Sequence, residues 1–284
     1  MAAEQIASNL ALINWTVLCA LAVGSFAVVV LARLSTAATR GFLAFTAFAS
    51  AAFAGLAYLS DTGLGPIAAG SPVTADPAFD VPRRAALAVF GVFALVTTLA
   101  IARGRRATVL LLAGLGTGVA VLVLGALTWG GSGPGVIPLA IQLLVLAGAT
   151  GGVFAAMILG HWYLVTPRLP EAPLVLVSRR LFWIVGLQVL LFVVWVGFGV
   201  GPGDAGPGGS DGPFQALVGP WALFVWLRLV VGLVFPLVVS WAAVQTARSR
   251  SMESATGLLY INVGTIASGT ILAAGLYFGA GLLV

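Results

Sequence analysis

Eight apolar stretches, each long enough to cross a lipid bilayer, follow one another along the chain. They lie at about residues 10–32, 42–60, 85–102, 107–128, 137–165, 181–200, 216–246 and 256–283. A membrane-spanning helix needs about 20 apolar residues. In hydrocarbon every backbone polar group must be satisfied within the protein, so helices are the default. The strict alternation of a transmembrane β-barrel is absent. Each stretch is hydrophobic all round, as a lipid-facing or buried helix should be. The expected fold is therefore all-α, a polytopic transmembrane helix bundle of eight spans. Composition supports this: 61% of the 284 residues are hydrophobic and 7% charged, against about 25% charged in a soluble domain. No room is left for a folded extramembrane domain, so residues 1–284 form one integral membrane domain whose first partner is the bilayer. A soluble enzyme is excluded.

All thirteen basic residues are arginine. No basic run exceeds two residues, which excludes nucleic acid as a partner. Loop by loop, Arg33 and Arg40 follow span 1, and Arg103, Arg105 and Arg106 follow span 3. Arg168, Arg179 and Arg180 follow span 5, and Arg248 and Arg250 follow span 7. The opposite side has only Arg83 and Arg84, before span 3. By the positive-inside rule both termini are non-cytoplasmic. The expected location is a bacterial plasma (inner) membrane. The outer loops, 61–82 and 201–214, are rich in Gly, Pro and Asp and contain Asp61, Asp76, Asp80, Asp204 and Asp211. The N-terminal MAAEQIASNL has no positive region, and the apolar run after it is too long for a secretory signal, so it reads as a retained span.

Two halves of the chain look weakly alike. VFGVFALVTTLAIARGR (89–105) aligns without gaps with VFPLVVSWAAVQTARSR (234–250), and VGSFAVVVLAR (23–33) aligns loosely with GGVFAAMILGH (151–161). This pattern pairs residues 9–129 with 136–284. With four spans per half, the two four-helix halves would be parallel, related by an axis along the membrane normal.

Small residues mark packing faces. Span 5 carries Gly148, Gly152, Ala156 and Gly160 at four-residue spacing, a smooth ridge that suits close helix approach within the chain or a homodimer contact. Pro236 removes a helical hydrogen bond from span 7 and should bend it. Cys19, the only cysteine, rules out an internal disulfide and any zinc or iron–sulfur ligand set; it reads as a buried packing residue.

A charge inside the membrane costs at least about 2.5–3.5 kcal/mol on insertion scales, so intramembrane polar groups are the functional candidates. Arg228 is the only charged residue expected inside a span. Its planar fork suits a haem propionate, a lipid phosphate or a substrate carboxylate, though snorkelling or pairing with an outer aspartate explains it as well. His161, the only histidine, sits near the arginine-rich end of span 5 and is a candidate haem ligand or quinone hydrogen-bonding partner. A histidine bonded to a backbone carbonyl is the plainer reading. Gln188, Tyr260 and Asn262 complete the candidate cofactor-binding set. They fall in spans 5–8, where most of the polar chemistry is expected, with the arginine-rich end favoured. No span is expected to bury a carboxylate, which argues against a proton- or sodium-coupled transporter of the acidic kind. No Walker loop, metal-ligand set or Ser–His–Asp arrangement is present.

Eight spans in two four-helix units resemble the architecture of haem A synthase. That family places several histidines in its bundles and this chain has one, so the resemblance carries over no residues. Three functions stay open. The chain is a cofactor-associated subunit of a respiratory redox system, holding haem or quinone near His161 or Arg228. Or it is a structural or assembly subunit alongside other membrane proteins. Or it is a small-molecule or lipid transporter with a site between its halves.

Overall fold

The computed structural model describes residues 2–65, 67, 71–131, 135–166, 169–200 and 214–284. Arg168, Asp204 and Asp211, with most of the 201–214 loop, lie outside the described residues. Among those described, the regular structure is all helical. A short α1 (Ala2–Ser8), not expected from sequence, precedes the spans. The spans are α2 (Leu10–Ser35), α3 (Arg40–Thr62), α4 (Asp80–Ala102), α5 (Thr108–Trp129), α6 (Val136–Val165) and α7 (Ala172–Phe198). The seventh is built from α8 (Ala222–Leu229), a π turn (Val230–Val234) and α9 (Phe235–Arg248), and the eighth is α10 (Met252–Ala280). Eight helices are long and apolar enough to cross a membrane, as a multi-pass integral membrane protein requires.

Several boundaries move from their expected places, each for a local reason. The Thr39 hydroxyl caps α3 by accepting from the Phe42 N–H, which brings Arg40 into the helix. A 3₁₀ turn, Pro77–Phe79, leads directly into α4, so Arg83 and Arg84 are helical rather than loop residues. Pro173 stands in the first turn of α7, where its missing N–H costs nothing, and the helix starts well before residue 181. At the other end of the chain, Gly281 adopts φ +69° and stops α10. There the Leu282 N–H donates to the Leu276 carbonyl and the Gly281 N–H to the Tyr277 carbonyl, a Schellman closure. Residues 281–284 then run inward as irregular, mostly buried chain.

The two most buried spans, α2 and α6, form the centre. They cross backbone to backbone at Gly24 and Gly151. A Cβ on Gly24 would lie 1.8 Å from the Ala147 carbonyl oxygen, and one on Gly151 would lie 2.2 Å from the Ser25 nitrogen. The Ser25 hydroxyl donates to the Gly151 carbonyl at 3.3 Å. Around α2 the chain packs α2 on α3, α3 on α4, α4 on α5 and α5 back on α2. Around α6 it packs α6 on α7, α7 on α9, α9 on α10 and α10 back on α6. The last helix of each half also touches the first helix of the other.

The ridge on α6 is covered from within the chain. Gly148 faces Ile184 and Gly152 faces Leu181, both on α7, while Gly160 faces Thr256 on α10. The outward face of α4 carries Val89, Val92, Leu95, Val96 and Leu99 exposed. Such an apolar face suits lipid and would be a liability in water.

Candidate functional site

The largest buried polar cluster lies where sequence reasoning placed loop charges. Asp61 ends α3 and is fully buried, at 0% exposure; Arg83 in α4 is 1% exposed. These two correct the expectations that Arg228 is the only charge inside a span and that no span buries a carboxylate. The helices run further than the apolar stretches suggest, and the α3–α4 hairpin brings their charged ends face to face.

Asp61 accepts four side-chain hydrogen bonds, two on each oxygen. Oδ2 receives the Trp15 indole N–H at 2.8 Å and Arg83 Nε at 2.8 Å. Oδ1 receives Arg83 NH2 at 3.2 Å and Arg84 Nε at 2.9 Å. That fills the acceptor capacity of a carboxylate. Arg83 NH1 donates to Asp80 Oδ1 and to the Thr128 hydroxyl, both at 2.8 Å. The guanidinium carbon also sits 4.5 Å from the Trp129 ring centroid, within cation–π range. Two aspartates meet two arginines, so the cluster is formally neutral. It joins α2, α3, α4 and α5 at one end of the bundle. With each carboxylate lone pair used, Asp61 has no site open for a coupling ion, and the cluster acts as a staple.

Arg228 is buried too, at 1% exposure, with a different set of partners. Its NH2 donates to Gln188 Oε1 at 3.2 Å, its NH1 to the Gly232 carbonyl at 3.3 Å and its Nε to the Val284 backbone oxygen at 3.4 Å. The Gln188 and Gly232 acceptors are neutral. Among the described residues no aspartate or glutamate side chain stands within ion-pair distance of it. Its local setting follows from the sequence. Pro236 has no N–H to give the Gly232 carbonyl, its partner in a regular helix, and the π turn lies just before that proline. The freed carbonyl turns to Arg228. Gly232 and Gly269 cross closely beside the guanidinium; a Cβ on Gly269 would stand 2.8 Å from Arg228 NH1. Gln142 on α6 donates to the same Val284 oxygen at 2.8 Å.

The five candidate residues thus fall in three places. Arg228 and Gln188 meet directly, and the Gln188 amide is oriented by its bond to the Val145 carbonyl at 3.2 Å. His161 and Tyr260 meet at the arginine-rich end, with His161 Nδ1 and the Tyr260 hydroxyl 3.4 Å apart. Both are exposed on the side of the bundle. Asn262 stands apart, buried between α9 and α10. Its Nδ2 donates to the Ser240 hydroxyl at 2.8 Å, and its Oδ1 accepts from the Thr265 hydroxyl at 3.3 Å. Cys19 is fully buried.

Sequence reasoning missed Trp15, Asp61, Arg83 and Gln142. One signal for the first three was present: an aspartate closing one apolar run, an arginine pair opening the next, and a tryptophan at the same end of span 1. Gln142 gave none, since its partner oxygen belongs to a backbone. A narrow seam lies between the halves, lined by Thr16, Trp129, Gln142, Leu146, Ala273 and Tyr277 among others, with room for about one water. No family model, curated protein or solved structure matches the chain.

Proposed function

We propose that this integral membrane protein is a cofactor-associated subunit of a membrane redox assembly, with a quinone-type site at His161 and Tyr260. The observation that carries the reading is the convergence of these two side chains. They come from α6 and α10, approach to 3.4 Å, and face outward where a lipid-borne molecule can reach them. A quinone is a flat apolar ring with carbonyl oxygens at its ends. An imidazole N–H and a phenol O–H side by side suit one such oxygen, and a lateral opening lets the ring enter from the bilayer. Haem is the weaker fit, because His161 is the only histidine and stands on the outer surface of the bundle.

The test is quinone extraction from protein purified in mild detergent, together with its absorption spectrum. The expected result is close to one quinone per chain, reduced several-fold in H161A and in Y260F. Quinone-free protein without a haem band, or quinone retained in both variants, overturns the reading. The seam between the halves favours a second reading, a small-molecule or lipid transporter. Substrate flux in proteoliposomes without bound cofactor is its signature. Stoichiometric partner subunits, with neither cofactor nor flux, would instead indicate a structural or assembly role.

A further inference from the structure

We infer that the outward seam between α7 and α9, at the arginine-rich end of the bundle, seats the head of one anionic phospholipid. Arg179 and Arg248 meet its phosphate, and Trp183 and Trp241 meet its glycerol region.

The first support is convergence. Gly186 of α7 faces Leu237 of α9, with the Gly186 Cβ position 3.8 Å from Leu237 Cδ1. From that contact both helices lead to the arginine-rich end, α7 backward to Arg179 and α9 forward to Arg248. Arg179 lies about two turns from Gly186, and Arg248 about three turns from Leu237. Each therefore falls within about 20° of the face that its helix turns to the other. Trp183 and Trp241 stand about one turn from the same contact, at matching depth. They are 64% and 55% exposed. Deeper still the seam is flanked by Leu187 and Val238, both exposed and apolar. The order along the seam is that of a phospholipid: cations outermost, amphipathic rings below them, hydrocarbon beneath.

The second support is that these donors are free. Arg179, Arg180 and Arg248 are exposed. Among the described residues none of the three has an ion pair or a side-chain hydrogen bond. Glu171, just before α7, is taken by Arg250. Four arginines stand at this end of α7, α9 and α10 against two acids, Glu171 and Glu253. The indole N–H groups of Trp183 and Trp241 also lack partners among the described residues. The Trp183 ring is set edge-on against Phe182, with centroids 5.3 Å apart. A guanidinium fork suits a phosphate, and an indole N–H suits an ester oxygen. Basic places between membrane helices on the positive side are where anionic lipid heads are held.

The third support is a contrast between the halves. The gapless alignment sets Arg103 against Arg248 and Val96 against Trp241. All four residues are exposed. Both halves keep the cation, which the positive-inside rule accounts for by itself. The second half adds a ring beneath it. That addition separates a lipid seat from a charge that serves topology, and it makes Arg103 an internal control.

The experiment is native mass spectrometry of the full-length chain in neutral detergent. It is titrated separately with dioleoyl phosphatidylglycerol and dioleoyl phosphatidylcholine. One phosphatidylglycerol should bind per chain about tenfold tighter than phosphatidylcholine, the worth of one charge-assisted hydrogen bond. The double variant R179Q/R248Q should lose that preference, and R103Q should keep it. W241V gives α9 the side chain found at the aligned place in α4. It should weaken phosphatidylglycerol binding several-fold, and it decides the matter should the double arginine variant not fold. Millimolar inorganic phosphate should leave the lipid bound. Equal binding of the two lipids, an unchanged preference in R179Q/R248Q and W241V, the same loss in R103Q, or displacement by inorganic phosphate overturns the proposal. None of these substitutions alters His161 or Tyr260, so quinone content is read independently of this outcome.

Discussion

Arg83 grips Asp61 side-on, with Nε on one carboxylate oxygen at 2.8 Å and NH2 on the other at 3.2 Å. The pair is closed to solvent on all sides. Removing one partner leaves the other charge buried, which costs about 3–5 kcal/mol. D61N should therefore lower the unfolding midpoint sharply, as followed by tryptophan fluorescence in detergent. The double variant D61L/R83M removes both charges and should recover most of the loss. A D61N midpoint within a degree or two of the wild type would show that the cluster does not staple the first half.

Arg250 and Glu171 form an ion pair as well, between the loops at the arginine-rich end, with Arg250 largely in solvent and Glu171 partly so. Exposed pairs contribute about 0–1 kcal/mol. E171Q should shift the same midpoint little, and less still at high salt. A loss comparable to D61N would mean that these loops carry more of the stability than their exposure allows.

The α2–α6 crossing gives a steric test. G24A puts a methyl where the Ala147 oxygen stands and should cost about 1–3 kcal/mol or more. Gly55 on α3 has open space at its Cβ position, so G55A should be neutral or stabilise by up to about 1 kcal/mol through helix propensity. Midpoints of the two variants measured side by side decide it. Equal effects would place the helices further apart than described.

Sidedness has a clean readout because Cys19 is buried and should not react with a membrane-impermeant maleimide. Thr74 and Ser249 are exposed at opposite ends of the bundle. In intact cells T74C should label directly, and S249C only after permeabilisation. The reverse pattern would invert the orientation drawn from the arginines.

The spans were legible because lipid imposes length and apolarity on any helix that crosses it. Which end residues turn inward was not, because hydropathy averages over a window and says nothing of direction. Asp61 and Arg83 border apolar runs, and a border residue reads equally well as loop or as helix. Their pairing is visible only once α3 and α4 lie antiparallel. Arg228 stands out in the sequence because it sits well inside its run. Its partners were hidden, since the Gly232 and Val284 oxygens belong to the backbone and every residue has one. His161 and Tyr260 each stand out by their chemistry, and their meeting depends on how α6 and α10 pack.

The Gly24–Gly151 crossing has a consequence for synthesis. Ser25 and Gly151, which meet there, are 126 residues apart in the chain. At about 5–20 residues per second, roughly 6–25 s separate their emergence from the ribosome. Through that interval α2 resides in the bilayer without its principal neighbour. A helix that will accept a partner backbone carries small residues at the crossing point, here Gly24 and Ser25, so the waiting surface there is smooth and lipid tails can cover it. The glycines that permit the final close approach also make the delay tolerable.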